Sequence, residues 1–173
     1  QAVGKPAPEG FTRAASVPRQ LAENVLDRQF YADRPNEKGL TDVTEFHYYT
    51  GTNMRKLYLS AILDLCDRRI VSFVIRDTND AALVHRTLAQ ALEGNPGARP
   101  LLHSDRGRAS TPQIFHEKLD TAGIKQSMSR VGTCIDHAHM EGFWDILTPD
   151  RQYHRRIAHR EQLVKQIQEY LTY

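Results

Sequence analysis

Between Gly39 and Arg76 the apolar residues fall on nearly every second position, and this period decides most of what the chain can become. Leu40, Asp42, Thr44, Phe46 and Tyr48 share one face of a strand, with Thr41, Val43, Glu45 and His47 on the other. After the turn "TGTNMRK", Leu57, Leu59, Ala61, Leu63 and Leu65 alternate with Tyr58, Ser60, Ile62 and Asp64 in a second strand. "CDRR" then turns the chain into "IVSFVI", apolar on both faces and so a third strand. Three strands joined by short turns predict an antiparallel meander.

The period then changes. Thr78 or Asn79 is placed to cap a helix carrying Val84, Leu88 and Ala91 on one face, with Gly94, Asn95 and Pro96 ending it. "RPLLHSD" is short and apolar and follows that helix, which suits a fourth strand laid parallel to the first by a helical crossover, with Asp105 at its carboxyl end. Thr111 and Pro112 open a second helix with Ile114, Phe115 and Leu119 on its buried side, and Gly123 closes it before the short strand "IKQSM". Beyond "SRVGTC", Asp136 caps a helix with Met140, Phe143, Trp144 and Leu147 at helical spacing, and Pro149 stops it. A last helix carries Leu163, Ile167, Tyr170 and Leu171. The expected class is α/β, a five-stranded mixed sheet of an antiparallel meander plus parallel strands, flanked by helices.

A chain of 173 residues holds one domain with a sizeable core. Residues 1–35, with Pro6, Pro8, Pro18 and Pro35 among scattered basic residues and no sustained period, read as a basic linker or arm, and 36–173 as the folded core. The N-terminus lacks the apolar segment of a signal peptide and an initiating Met, and the last helix runs to the end without a cap, so the sequence reads as a fragment or processed chain truncated at its C-terminus. No apolar run approaches the roughly 20 residues of a membrane span. Cys66 and Cys134, without paired spacing, fit reduced thiols in a cytoplasm. The net charge of +2 does not by itself announce a nucleic-acid binder, yet basic residues crowd around 106–130 and 151–160.

Three acids stand out. Asp42 sits on a strand, Asp105 at a strand end and Glu141 on the helix after the last strand, with 35 residues between Asp105 and Glu141. Clustered carboxylates repel one another, so a site of three is tolerable mainly when hard cations neutralise it. Mg²⁺ is the common choice, and two such ions about 4 Å apart clamp the attacking and leaving oxygens of an in-line phosphoryl displacement.

"TDVTEF", "LDLCDRRIV", "HSDRG", "SMSRVGTCID" and "MEGFW", in this order, resemble the integrase catalytic core of bacterial insertion-sequence transposases, relatives of retroviral integrases in the Asp-Asp-Glu recombinase class. The likeness runs over roughly residues 20–173. It implies a ribonuclease H-like fold and an Asp42, Asp105, Glu141 triad holding two Mg²⁺ or Mn²⁺ ions. It also implies cleavage and joining of DNA ends by 3′-hydroxyl attack, in a bacterial cytoplasmic, nucleoid-associated protein. DNA is the expected partner, contacted by Arg106, Arg108, Lys125, Arg130 and Arg151, with a homo-oligomer assembled on it. Several positions depart from the family pattern. Asp145 and Thr148 stand where glycine and lysine are usual, and Glu141, Asp145 and Thr148 share one helical face. An added aspartate there repels a DNA backbone. His137 replaces the usual asparagine, Gly39 a common tryptophan, and "GRAS" a more usual polar and aromatic run after "HSDRG".

Bland roles compete for other residues. Asp64 and Asp67 read as turn and strand-edge residues, Asp136 as a helix cap, and His103 as a packed histidine behind the site. Cys134, His137 and His139 lack a fourth zinc ligand at a recognised spacing. Three functions remain open: a metal-dependent transposase core, a plain nuclease of the same fold, and a catalytically impaired DNA-binding or assembly module, which Asp145 and Thr148 favour.

Overall fold

The computed structural model describes residues 26, 29–104, 112–128 and 159–172. Five strands and three helices lie among them: β1 (Lys38–Thr50), β2 (Asn53–Asp64), β3 (Ile70–Arg76), α1 (Ala81–Gly94), β4 (Leu101–Ser104), α2 (Pro112–Thr121), β5 (Lys125–Met128) and α3 (Arg160–Leu171). One sheet takes all five strands in the order β3-β2-β1-β4-β5. The β1–β2 and β2–β3 pairs are antiparallel, whereas β1–β4 and β4–β5 are parallel. This is the mixed sheet expected from the change of period at residue 77.

The meander is set by its two turns. Thr50 faces Asn53 across a two-residue hairpin whose first residue, Gly51, has φ +62°, a conformation that hairpin turns favour and that glycine adopts without strain. The second turn is organised by Asp64, which is 1% exposed. Its Oδ1 accepts the Cys66 N–H at 2.8 Å and its Oδ2 the Asn36 N–H at 2.6 Å, while its carbonyl accepts the Arg68 N–H at 3.1 Å. Asp67 Oδ1 accepts the Arg69 N–H at 3.1 Å, so both acids serve the turn, as the sequence suggests.

Strand alternation divides the core. One sheet face carries Leu40, Phe46, Leu57, Leu59, Ala61, Leu63 and Leu65 against Leu163 and Ile167 of α3. Leu26, Phe30 and Ala32 pack into the same cluster, so part of the stretch read as an arm contributes to the core. The opposite face buries Ile62, Leu102 and Ile124 beneath Leu88 of α1 and Phe115 and Leu119 of α2. Among the described residues, no helix is long and apolar enough to cross a membrane.

Three local expectations change. The cap of α1 is Asp80, not Thr78 or Asn79: its Oδ1 accepts the Leu83 N–H at 3.0 Å, and Arg76 and Thr78 both donate to the same carboxylate. The buried stripe of α1 is Leu83, Thr87 and Leu88, with Val84 and Ala91 only partly covered. Ile114 is 45% exposed, since Phe115 and Leu119, four apart, already fill the inner side of a ten-residue helix. In α3, Leu163 and Ile167 are buried as expected, while Tyr170 stays 38% exposed. The helix expected after Asp136 lies outside the described residues.

Candidate active site

Asp42 lies near the middle of β1, paired with Ala61 of β2, and strand alternation puts it on the face that α3 covers. Its face-mates Leu40 and Phe46 are buried at 3% and 4%, yet Asp42 itself is only half-buried. Among the described residues, parallel pairing between β1 and β4 sets Lys38–Thr41 against Leu101–Ser104. Asp42 follows Thr41 directly, and its partial exposure lets an acid occupy a core strand without full desolvation. Its Oδ1 accepts the Val43 N–H at 2.8 Å.

The last two residues of β4 are held on both sheet faces. On the face of Asp42, His103 is 3% exposed, its Nδ1 lies 2.9 Å from Ser127 Oγ, and its ring meets Phe30 edge-on at 6.3 Å between centroids. Ser127 Oγ also accepts the Leu26 N–H at 3.0 Å, so this histidine is packed as the sequence suggests. On the other face, Gln126 Nε2 donates to Ser104 Oγ at 3.2 Å and Gln126 Oε1 lies 2.9 Å from His116 Nδ1. Sequence reasoning passed over Ser104, His116 and Gln126. The available signal was a glutamine between Ile124 and Met128, the apolar residues two positions to either side of it.

Of the three acids proposed as metal ligands, Asp42 falls within the described residues; Asp105 and Glu141 lie outside them, as do Arg106, Arg108, Arg130, Arg151, Asp136, Asp145, Thr148, Cys134, His137 and His139. Lys125 is exposed at the amino end of β5, paired with Leu101, and so stands at the end of the parallel strands opposite Ser104. Three strand steps, about 10 Å, separate its Cα from that of Met128. Among the described residues, no group of three or more His, Cys, Asp or Glu could hold a metal ion. The expected set of Asp42, Asp105 and Glu141 is wholly carboxylate, the oxygen chemistry that hard divalent cations take.

A family model described as an integrase core domain matches residues 32–134. The chain belongs to the integrase core domain family. Its relatives by sequence include proteins of bacterial insertion elements. This integrase core is 40% identical over 155 residues to the InsK protein of Escherichia coli K12, named as a transposase for insertion sequence element IS150, covering 89% of this chain and 53% of that one. It is 39% identical over 153 residues to a transposase-like protein of Haemophilus influenzae, covering 88% and 69%. It therefore spans only part of the length of these relatives. Among solved structures, the catalytic domain of Mos1 mariner transposase superposes with a TM-score of 0.62 at 14% identity, over 79% of this chain and 70% of that one. The integrase catalytic core domain of HTLV-2, solved in complex with magnesium, gives 0.52 at 21% identity, over 79% and 84%. At such identities these two show the fold, which is the ribonuclease H-like fold of integrase and transposase cores.

Proposed function

We propose that this integrase core is the catalytic part of an insertion-sequence transposase that cuts transposon ends and joins them to target DNA, with Asp42, Asp105 and Glu141 as the carboxylates of a two-ion site for Mg²⁺ or Mn²⁺. The observation that carries it is the parallel register. Thr41 pairs with Ser104, and Asp42 and Asp105 are the residues that follow each of them in the chain. Neighbouring strands lie about 4.8 Å apart and residues in register share a face, so two carboxylates one step further along would share a cation. Glu141 would close the set from its helix.

Bound at these carboxylates, divalent ions would activate a water or 3′-hydroxyl oxygen and neutralise the leaving oxygen. The chain's own part is to hold the acids and the DNA. β1 fixes Asp42 on a rigid sheet and β4 leads the chain to Asp105, and mutual repulsion between the acids would keep the site poised for cations. Arg106, Arg108, Arg130 and Arg151 would neutralise backbone phosphates flanking the scissile bond. Lys125, at the far end of β5, would meet the backbone away from that bond. A homo-oligomer on DNA would bring two transposon ends together, at the bacterial nucleoid.

One sequence observation favours a second reading. Asp145, four residues after Glu141, adds a negative charge on the face where DNA would approach, which suits a catalytically impaired assembly module of the same fold. Incubating the protein with labelled transposon ends, supercoiled plasmid and Mn²⁺ separates the possibilities. Joined product that disappears in Asp105→Asn is expected. Shortened ends alone would indicate a nuclease, and DNA retention with no chemistry would indicate the assembly module.

A further inference from the structure

Ile124, just before β5, and Gln126 and Met128 within it share one sheet face and are exposed 3%, 7% and 3%, with Ile124 packed on Phe115 and Leu119 of α2. An apolar residue in the middle would pack there without any polar group to satisfy, so a buried glutamine calls for a reason. Its amide is engaged at both ends. Nε2 donates to Ser104 Oγ at 3.2 Å, and Oε1 lies 2.9 Å from His116 Nδ1, which must carry the proton of that hydrogen bond because a carbonyl oxygen only accepts. Asp120, one turn further along α2, places Oδ2 3.4 Å from His116 Nε2. The chain of contacts therefore runs from α2 through β5 to the hydroxyl of the last residue of β4. On the opposite face the preceding residue, His103, meets Ser127 at 2.9 Å. β4 is thus fastened by side chains on both faces at His103 and Ser104, the two residues that lead into Asp105.

We infer that Gln126, oriented by His116, is a positioning residue that fixes the carboxyl end of β4 and, through Ser104, the backbone that carries Asp105. This rests on the reading of Asp105 as a metal-binding carboxylate. Ser104 takes no part in the chemistry; its hydroxyl is the point at which the strand end is gripped. Met in place of Gln126 fills similar volume, keeps the face apolar and removes the grip.

The test compares the protein as it stands with Gln126→Met, with Ser104→Ala, which removes the acceptor and keeps the glutamine, and with Asp105→Asn. Two readouts are taken on each: amide hydrogen exchange along the sheet, and the Mn²⁺ concentration giving half of the metal-induced rise in Tm, with the metal alone as probe. The expected result in Gln126→Met is exchange about five- to tenfold faster at Leu102–Ser104, the factor that one lost hydrogen bond supplies, with Leu57–Leu63 of β2 unchanged and a Mn²⁺ midpoint raised several-fold. Ser104→Ala should do the same, and settles the matter if the methionine variant does not fold. Unchanged exchange and midpoint overturn the inference. Faster exchange with an unmoved midpoint also overturns it, since the contact would then be structural only. A parent protein as insensitive to Mn²⁺ as Asp105→Asn overturns the metal-site assignment itself, and with it the positioning role, a failure visible before any substitution at 126.

Discussion

Asp64 and Asp42 are both aspartates on the central strands of one sheet, and the structure gives them opposite roles that one experiment separates. Asp64 is 1% exposed and its two oxygens accept backbone N–H groups of Asn36 and Cys66 at 2.6 and 2.8 Å. Hydrogen bonds to a charged acceptor contribute roughly 1.5–3 kcal/mol each. In Asp64→Asn one amide oxygen still accepts, while the NH₂ group faces an N–H donor and leaves it unpaired, so the net loss is about 2–4 kcal/mol. At about 2–4 °C per kcal/mol for a chain of this length, Tm falls by roughly 5–15 °C. The metal-induced rise in Tm should survive, because Asp64 has both oxygens committed to the turn. Asp42→Asn should do the reverse, changing the metal-free Tm little and abolishing the response to Mn²⁺. Differential scanning calorimetry of the three proteins with and without Mn²⁺ reads both effects. A metal response lost with Asp64 and kept without Asp42 would refute the division of roles, and a Tm of Asp64→Asn within 2 °C of the parent, roughly the effect of 1 kcal/mol or less, would refute the turn energetics.

Leu163 of α3 is 1% exposed against the sheet face that also carries Asp42, so Leu163→Ala should cost about 2–5 kcal/mol in urea unfolding; a loss below about 1 kcal/mol would mean that α3 is not docked there. Asp80→Ala removes the α1 cap together with the partner of Arg76 and Thr78, and should lower stability by about 1 kcal/mol without altering the response to Mn²⁺. His85 stacks flat on Phe115 at 6.3 Å between ring centroids, and burial of the ring, helped by the nearby Lys118 charge, holds its pKa below the ordinary histidine value of 6.5. The unfolded chain therefore binds the proton more readily, so the contribution of His85 is fully present above pH 6.5 and is lost as pH falls through the lower folded value. His85→Phe should flatten that part of a stability-against-pH curve between pH 7 and 5, and an unchanged slope would count against the assignment.

Much of the architecture was legible because it follows from local period. Alternation in residues 39–76 gives the meander and its two faces, and the short apolar strand after a helix gives the parallel crossover that brings β4 beside β1. The misses arise where several local solutions have nearly equal energy. Thr78, Asn79 and Asp80 are three consecutive residues able to cap a helix. Asp80 prevails because its carboxylate also takes Arg76 and Thr78, a preference that shows only once β3 and α1 are placed. Thr87 belongs to the buried stripe although polar, since its hydroxyl donates to Leu83 O and its carbonyl accepts from Ser72 of β3. Contacts such as Gln126 with Ser104, Arg160 with Asp77 and the Leu26 N–H with Ser127 join residues 22 to 101 positions apart, and no local pattern encodes such pairs.

The same distinction explains why Asp42 could be picked from sequence and yet be explained only by the sheet. An aspartate on the apolar face of a strand is a local conflict, and conflicts of that kind concentrate at functional sites. What supports the acid is the sheet: β1 has 13 residues and pairs with β2 from Gly39 to Thr50, which seats Asp42 opposite Ala61 on a rigid strand, and β4 runs parallel to β1 over Lys38–Thr41 immediately before it. Leu40 and Phe46 on the same face are buried while Asp42 is only half-buried, so a charged group is carried by a core strand without the full cost of desolvation. The period of a single strand could single out Asp42 as the conflict, but only the pairing of three strands shows how the conflict is borne.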